Sequence, residues 1–302
     1  DIPNNKLYYK LKSNETIDDL SVEVPLPVTI SINSACTFNN IKFAQFGGTL
    51  FNSLEYSGSC TDHQGGYCMD GVIKVYTSHV AFNRCEFFGF TLHCIKFYNG
   101  SSDSCVTNTY FHENGCAAVM IGERDKAAIN VPKGIYIDNN VTKVNGQLLP
   151  ESCAFVMTFA EDCQFNNNTI SHTSYSGFNI GYVWYRNTDA TGLKNCVIKG
   201  NDINKIGHPW INDLGGIYTL GDTQGIKICY NYIHDDANTR CYGIYLDEGT
   251  KNANVYKNVS LLPQHNHLVR YNRIYNNVFS GKYLTDDSAI DAIISGNIFI
   301  NI

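Results

Sequence analysis

One short phrase recurs through this chain: an asparagine, a variable residue, then an apolar one, often with Gly or Tyr just before it. It occurs at Asn83-Arg-Cys, Asn108-Thr-Tyr-Phe, Asn140-Val, Asn168-Thr-Ile, Asn201-Asp-Ile, Asn231-Tyr-Ile, Asn258-Val, Asn272-Arg-Ile and Asn297-Ile-Phe. Most steps between these marks are similar in length, with one short step from 258 to 272. A second phrase falls between the asparagines, a small residue opening a short alternating strand. It reads Ala118-Val-Met-Ile, Ala154-Phe-Val-Met, Gly177-Phe-Asn-Ile, Gly216-Ile-Tyr-Thr and Gly243-Ile-Tyr-Leu. A repeat of roughly 30 residues with only strands inside it is one coil of a parallel β-solenoid, whose inward residues fill a continuous core. Asn at one place per coil has a physical reason. It tolerates a left-handed turn, and its amide can bond the amides above and below. A β-sandwich would place its strands at about one-third of that spacing, without the longer self-similarity.

Composition agrees. With 35 Asn and 25 Gly in 302 residues, long helices are disfavoured, and no stretch shows convincing helical periodicity. The net charge is −6 and no dense Lys/Arg run occurs, which argues against nucleic acid and anionic membranes as partners. No apolar run approaches the roughly 18 residues of a membrane span. The opening Asp1-Ile-Pro-Asn-Asn is no signal peptide, so the chain reads as a mature or excised domain.

The 12 cysteines include no Cys-x-x-Cys and many lie in apolar strand-like runs, which favours buried thiols over a metal or redox site. Cys60–Cys68 is the best local candidate for a disulfide. Five Asn-x-Ser/Thr sequons, at Asn14, Asn99, Asn140, Asn167 and Asn258, are as many as this Asn content gives by chance.

The repeat divides the chain into residues 1–30, read as an N-terminal cap leading into the first coil, and residues 31–302, the solenoid. The chain ends mid-strand on Ile-Phe-Ile-Asn-Ile302, so the expectation is either that it was cut there or that another segment or chain covers that end.

Two adjacent-coil motifs, Asp213-Leu-Gly-Gly-Ile-Tyr-Thr-Leu-Gly221 and Tyr242-Gly-Ile-Tyr-Leu-Asp-Glu-Gly249, carry a resemblance. The chain resembles the right-handed parallel β-helix (pectin-lyase-like) superfamily, and these motifs are similar to those of β-helical glycosidases. The resemblance implies an all-β, right-handed parallel β-helix over roughly residues 30–302. It also implies activity on carbohydrate and an extracellular, virion or cell-surface setting.

Stacking the coils on their small residue separates inward from outward columns. Val119, Phe155, Phe178, Ile217 and Ile244 point inward; Met120, Val156, Asn179, Tyr218 and Tyr245 point outward. The next outward place holds Gly122, Thr158, Gly181, Leu220 and Asp247, with Glu123, Tyr182 and Glu248 just beyond. Carboxylates and aromatic rings on one face are what a sugar groove needs, because rings stack on sugars and two acids can divide acid and base roles. This register makes Glu248 the expected general acid, Asp222 or Asp247 the nucleophile or base, and Asp213 a reserve. Tyr182, Trp184, Trp210, Tyr218 and Tyr245 are expected to form subsites, with Glu123 further along the edge. An acid pair about 5 Å apart predicts retention of configuration, and a pair about 8 Å apart predicts inversion.

The expected partner is a polysaccharide or oligosaccharide, with no cofactor and no metal. The acidic balance points to a neutral or cationic glycan. Asn187-Thr-Asp189 matches one polygalacturonase motif, but no Gly-His-Gly or Arg-Ile-Lys accompanies it. Two rivals share this scaffold: a glycan-binding adhesive module, and a polysaccharide lyase or epimerase using Tyr and Arg chemistry.

Overall fold

Short strands separated by left-handed turns stack on their successors one coil later, and this produces the architecture. The computed structural model describes residues 12, 13, 16, 28–47, 64–123, 129–181, 193–235, 241–281, 284, 285 and 291–300. Among them there is no helix. Three ten-stranded sheets, all parallel, run the length of a right-handed β-helix. Each coil contributes one strand to each sheet. The first sheet contains strands such as Gly71–Val75, His93–Phe97, Val119–Ile121, Phe155–Met157, Phe178–Ile180, Leu214–Thr219 and Cys241–Leu246. Most of the expected N-terminal cap lies outside the described residues, and its last residue, Ile30, begins the strand Ile30–Ile32 that opens the first sheet.

The side-chain columns follow the alternation. Val119, Phe155, Phe178, Ile217 and Ile244 are in register and wholly buried. The second and third sheets fill the rest of the core with stacked rings, for example Phe43 on Phe87 at 4.8 Å and Phe87 on Phe111 at 4.9 Å. Offset stacking of this kind adds to the area buried.

The asparagine repeat divides into two positions with separate tasks. Asn140, Asn168, Asn201, Asn231, Asn258, Asn277 and Asn297 form a ladder at the corner between the second and third sheets. Each Nδ2 donates to the Oδ1 of the next at 2.9–3.0 Å, and that same Oδ1 accepts the backbone N–H of the Asn one coil earlier. The left-handed residue is the one before it: Asn139, Asn167, Gly200, Tyr230, Lys257, Asn276 and Gly296. This corrects the single-asparagine reading and explains why Gly or Tyr so often precedes the motif.

Three members of the sequence repeat fall elsewhere. Asn83 and Asn108 belong to an exposed ladder, Asn108 Nδ2 donating to Asn83 Oδ1 at 2.9 Å. At their coils the buried rungs are Cys85 and Thr109. Asn272 sits at the preceding corner, where it accepts from the Ala253 N–H at 2.8 Å. Buried polar backbone needs a partner at each corner, and different short side chains supply it.

Cys85, Cys94, Cys153, Cys163, Cys196 and Cys229 are buried thiols. Burial pushes the Cys196 thiol up to about 11, and it raises those of Cys94, Cys153 and Cys163 above their ordinary value. The Cys60–Cys68 pairing lies outside the described residues. Asn140 and Asn258 are buried in the ladder, which leaves their sequons no room for a glycan.

Candidate active site

The outward column of the first sheet is largely roofed. Met120, Val156 and Asn179 are wholly buried, and Tyr218 and Tyr245 are 1% and 5% exposed. The roof is the segment 64–70, which returns over the sheet from the first coil. Gln64 touches Asp213 and Tyr218, Gly65 bonds Glu151, the Gly66 carbonyl meets His93 Nε2 at 2.8 Å, and Met69 accepts from Lys96. At ~4.8 Å per coil this path covers about 20 Å, which six or seven extended residues can span.

His93 is neutral here. Its Nδ1 accepts from the Ala117 N–H, so Nε2 carries the proton that holds Gly66, and burial lowers its pKa to about 3. Lys96, buried beneath the strap, is lowered to about 8, chiefly by desolvation.

Where the strap ends, two acids and two tyrosines meet. The rings of Tyr218 and Tyr245 stack at 4.7 Å with 7° between planes, as adjacent members of the outward column must. Tyr218 donates to Oδ2 of Asp247 at 2.5 Å. Tyr245 donates to Oδ1 of Asp213 at 3.0 Å, and Gln64 donates to Oδ2 of Asp213 at 2.8 Å. The Tyr218 hydroxyl also lies 3.4 Å from Gln64 Oε1, a second acceptor for its single proton, and the shorter contact goes to Asp247.

Asp213 opens its strand with φ of 61°, and its carbonyl accepts from the buried Tyr175 hydroxyl. Gly215, two residues on, leaves room for Tyr245, whose Cβ would be 3.1 Å from a Cβ at that position. Beyond Tyr245, His265 stacks on Tyr242 at 4.5 Å.

The two acids differ. Asp247 is 5% exposed, and burial pushes its pKa up to about 6, opposed by the bonds from Tyr218 and the Glu248 N–H and assisted by Asp213 nearby. Its Oδ1 is buried without a hydrogen-bond partner. Asp213 is half-buried, and each of its oxygens accepts one side-chain hydrogen bond.

The other expected residues are dispersed. Asp222 forms a turn: Oδ1 accepts from the Gln224 N–H at 2.9 Å and from Asn252 at 3.0 Å, while Oδ2 pairs with Lys251 at 3.3 Å. Glu248 is half-buried at the strand end, and its carbonyl accepts from the Gly221 N–H. Glu123 lies four coils away, about 19 Å, with Oε2 accepting from the Asn99 N–H. Trp210 is 72% exposed and stacks on His208 at 4.5 Å, shortly before Asp213 in the chain. Tyr182 and Trp184 lie outside the described residues.

The sequence does not single out Gln64, Tyr175, Asn179 or His265 for this site. Asn179 does carry a signal, as the one amide in an outward column of apolar and aromatic residues. Its side chain is wholly buried beside Tyr218, with neither amide atom hydrogen-bonded.

The fold is thus a right-handed parallel β-helix, with a carboxylate–tyrosine cluster on its first sheet. No protein-family profile matches the chain, and no curated protein sequence matches it. Solved structures do. One described as a glycoside hydrolase is similar over 95% of this chain and 53% of its own, with 15% identity and a TM-score of 0.67. PfbA, a surface adhesin of Streptococcus pneumoniae, is similar over 88% of this chain and 71% of its own, with 14% identity and a TM-score of 0.60. At these identities the likeness shows the fold. The chain spans about half the length of that glycoside hydrolase.

Proposed function

We propose that the protein is a carbohydrate-active β-helix and that its first sheet carries a glycoside hydrolase site, set at a surface or outside the cell. The observation that supports this most is the pair of carboxylates held in unlike surroundings by stacked tyrosines. Asp247, buried and raised to about 6, keeps a proton into the mildly acidic range and serves as general acid. Asp213, bonded by Tyr245 and Gln64, serves as nucleophile or base. Tyr218 holds Asp247 while Tyr245 and Gln64 hold Asp213, and the stacking of the two tyrosine rings keeps the two acids in a set relation, which is what an oxocarbenium-like transition state requires.

Trp210 offers an exposed ring for stacking a sugar near Asp213, and Tyr242 with His265 extends the aromatic surface. Glu248 follows Asp247 at the strand end and is half-buried. Asp222 is engaged by Lys251 and Asn252 and belongs to the turn rather than to the reacting pair.

The test is a panel of oligosaccharides read by mass spectrometry and ultraviolet absorbance, with wild type, Asp247→Asn and Asp213→Asn side by side. Hydrolysis products without a new chromophore, lost in both variants, are expected. An unsaturated chromophore would instead establish elimination. Binding without any product, unchanged in both variants, would make the protein an adhesive module.

A further inference from the structure

The second sheet gathers charge that the sequence scatters. In its later coils one cation stands on each of four successive turns: Lys199, Lys227, Lys257 and Arg273. All four are exposed and, among the described residues, none makes an ion pair. The register places them on one face. Lys199 aligns with Cys229, Tyr256 and Tyr275, while Lys227 aligns with Asn254 and Arg273. Lys257 occupies the left-handed corner beside Tyr256.

Aromatic rings lie between the charges. Tyr230 is 49% exposed, with Lys257 Nζ 5.4 Å and Lys199 Nζ 5.8 Å from its ring centroid, and Lys257 also donates to its hydroxyl at 3.2 Å. Tyr256 and Tyr275 stack at 5.1 Å. Arg270 and Tyr271, both exposed, continue the surface at the corner of the ninth coil. Residues 195–200, 223–232, 250–258 and 269–277 contain no Asp or Glu. Acids at the borders of the face are engaged elsewhere, Asp222 with Lys251 and Asp202 with His234, and Asp291 stands in the last coil. In a chain of net charge −6, this is a segregated positive face.

We infer that this face binds an acidic polysaccharide, a polyuronate laid along the helix axis with one carboxylate per cation. Along the helix axis the cations advance one coil, about 4.8 Å, at a time, comparable with the length of one pyranose ring in an extended chain, while they alternate between the Lys227–Arg273 column and the other end of the strand, where Lys199 and Lys257 stand. Duplex DNA presents a negative charge every ~1.7 Å of its axis, a poor match for one cation per coil. Tyrosine edges and exposed faces between the charges suit sugar rings, and Lys and Arg suit carboxylates. The surface lies on a different sheet from Asp213 and Asp247, so binding here is read independently of cleavage.

The experiment is a binding titration with polygalacturonate, alginate, neutral dextran and oligothymidylate, at low and at moderate salt. Wild type is expected to bind one or both polyuronates, to ignore dextran, and to weaken as salt rises. The fourfold variant Lys199→Ser, Lys227→Ser, Lys257→Ser, Arg273→Ser, whose sites are all exposed, is expected to keep its melting temperature and lose at least tenfold in affinity. Lys143→Ser, on the third sheet, is expected to bind as wild type does. Failure to bind either polyuronate, an unchanged fourfold variant, or tighter binding of oligothymidylate than of polyuronate would each overturn the inference.

Discussion

The hydroxyl of Tyr218 donates to Oδ2 of Asp247 at 2.5 Å, while its own ring lies flat against that of Tyr245, which donates to Asp213. Two neighbouring coils therefore present two tyrosines that each hold one acid. Coil stacking sets the ring spacing, and the phenols set where the carboxylates sit.

That arrangement makes stability depend on pH in an unusual sense for an aspartate. The pKa of Asp247 rises from 3.8 to about 6 on folding, so the folded state binds the proton more tightly. Between pH 4 and 6 the unfolded chain has released it and the folded chain has not, so stability falls as pH rises through this window. The resulting penalty above pH 6 is on the order of 3 kcal/mol. Asp247→Asn should remove it. Denaturant unfolding should find the variant more favourable relative to wild type at pH 7.5 than at pH 4, by roughly that amount; an equal difference at both would show that Asp247 is not raised.

Tyr218→Phe removes a bond that favours the ionised form, so the pKa of Asp247 should climb further. With Asp247 as general acid, the alkaline limb of the kcat/KM profile should move to higher pH as the maximum rate falls by about 10- to 100-fold. A carboxyl carbon NMR titration reads the same shift without turnover. No movement in either would separate Tyr218 from the chemistry.

Gln64 bridges the strap to both halves of the site. Gln64→Ala takes a donor from Asp213 and an acceptor from Tyr218, and should lower kcat/KM by about 10- to 100-fold through misplacement. The melting temperature should change little, since His93 and Lys96 still anchor the strap at Gly66 and Met69. A large loss of stability with unchanged activity per folded molecule would assign Gln64 a purely structural role.

The two asparagine positions should respond to substitution by different amounts. Asn201→Ala strips the acceptor from Asn168 N–H and Nδ2 and leaves the Phe165 carbonyl without its amide donor, a loss of about 2–4 kcal/mol. Asn139, at φ 54°, carries the turn, so Asn139→Gly should be close to neutral and Asn139→Ala should cost about 1 kcal/mol. Thermal unfolding of the three variants checks the division of labour.

The period, the parallel coils and the inward and outward columns from Met120 to Tyr245 are legible in the sequence, because they follow from local alternation and from an amide that recurs once per turn. The fusion of two asparagine tasks into one comes from the same locality. Adjacent residues such as Asn167 and Asn168 look alike in the chain, yet one bends it and the other bonds along the axis. Glu248 and Asp222 stand out by their place on an edge, but which carboxylate is desolvated depends on what covers it.

The cover comes from the segment 64–70, whose Gln64 is 149 positions from Asp213, with no periodic pattern to announce it. Likewise Lys199, Lys227, Lys257 and Arg273 lie far apart along a chain without any basic run. Winding brings them to one face at the coil spacing. The coil itself is written into the order of residues, because backbone and core preferences act between near neighbours. The site and the charged face exist only once the chain is wound, because desolvation and electrostatics depend on distance through space.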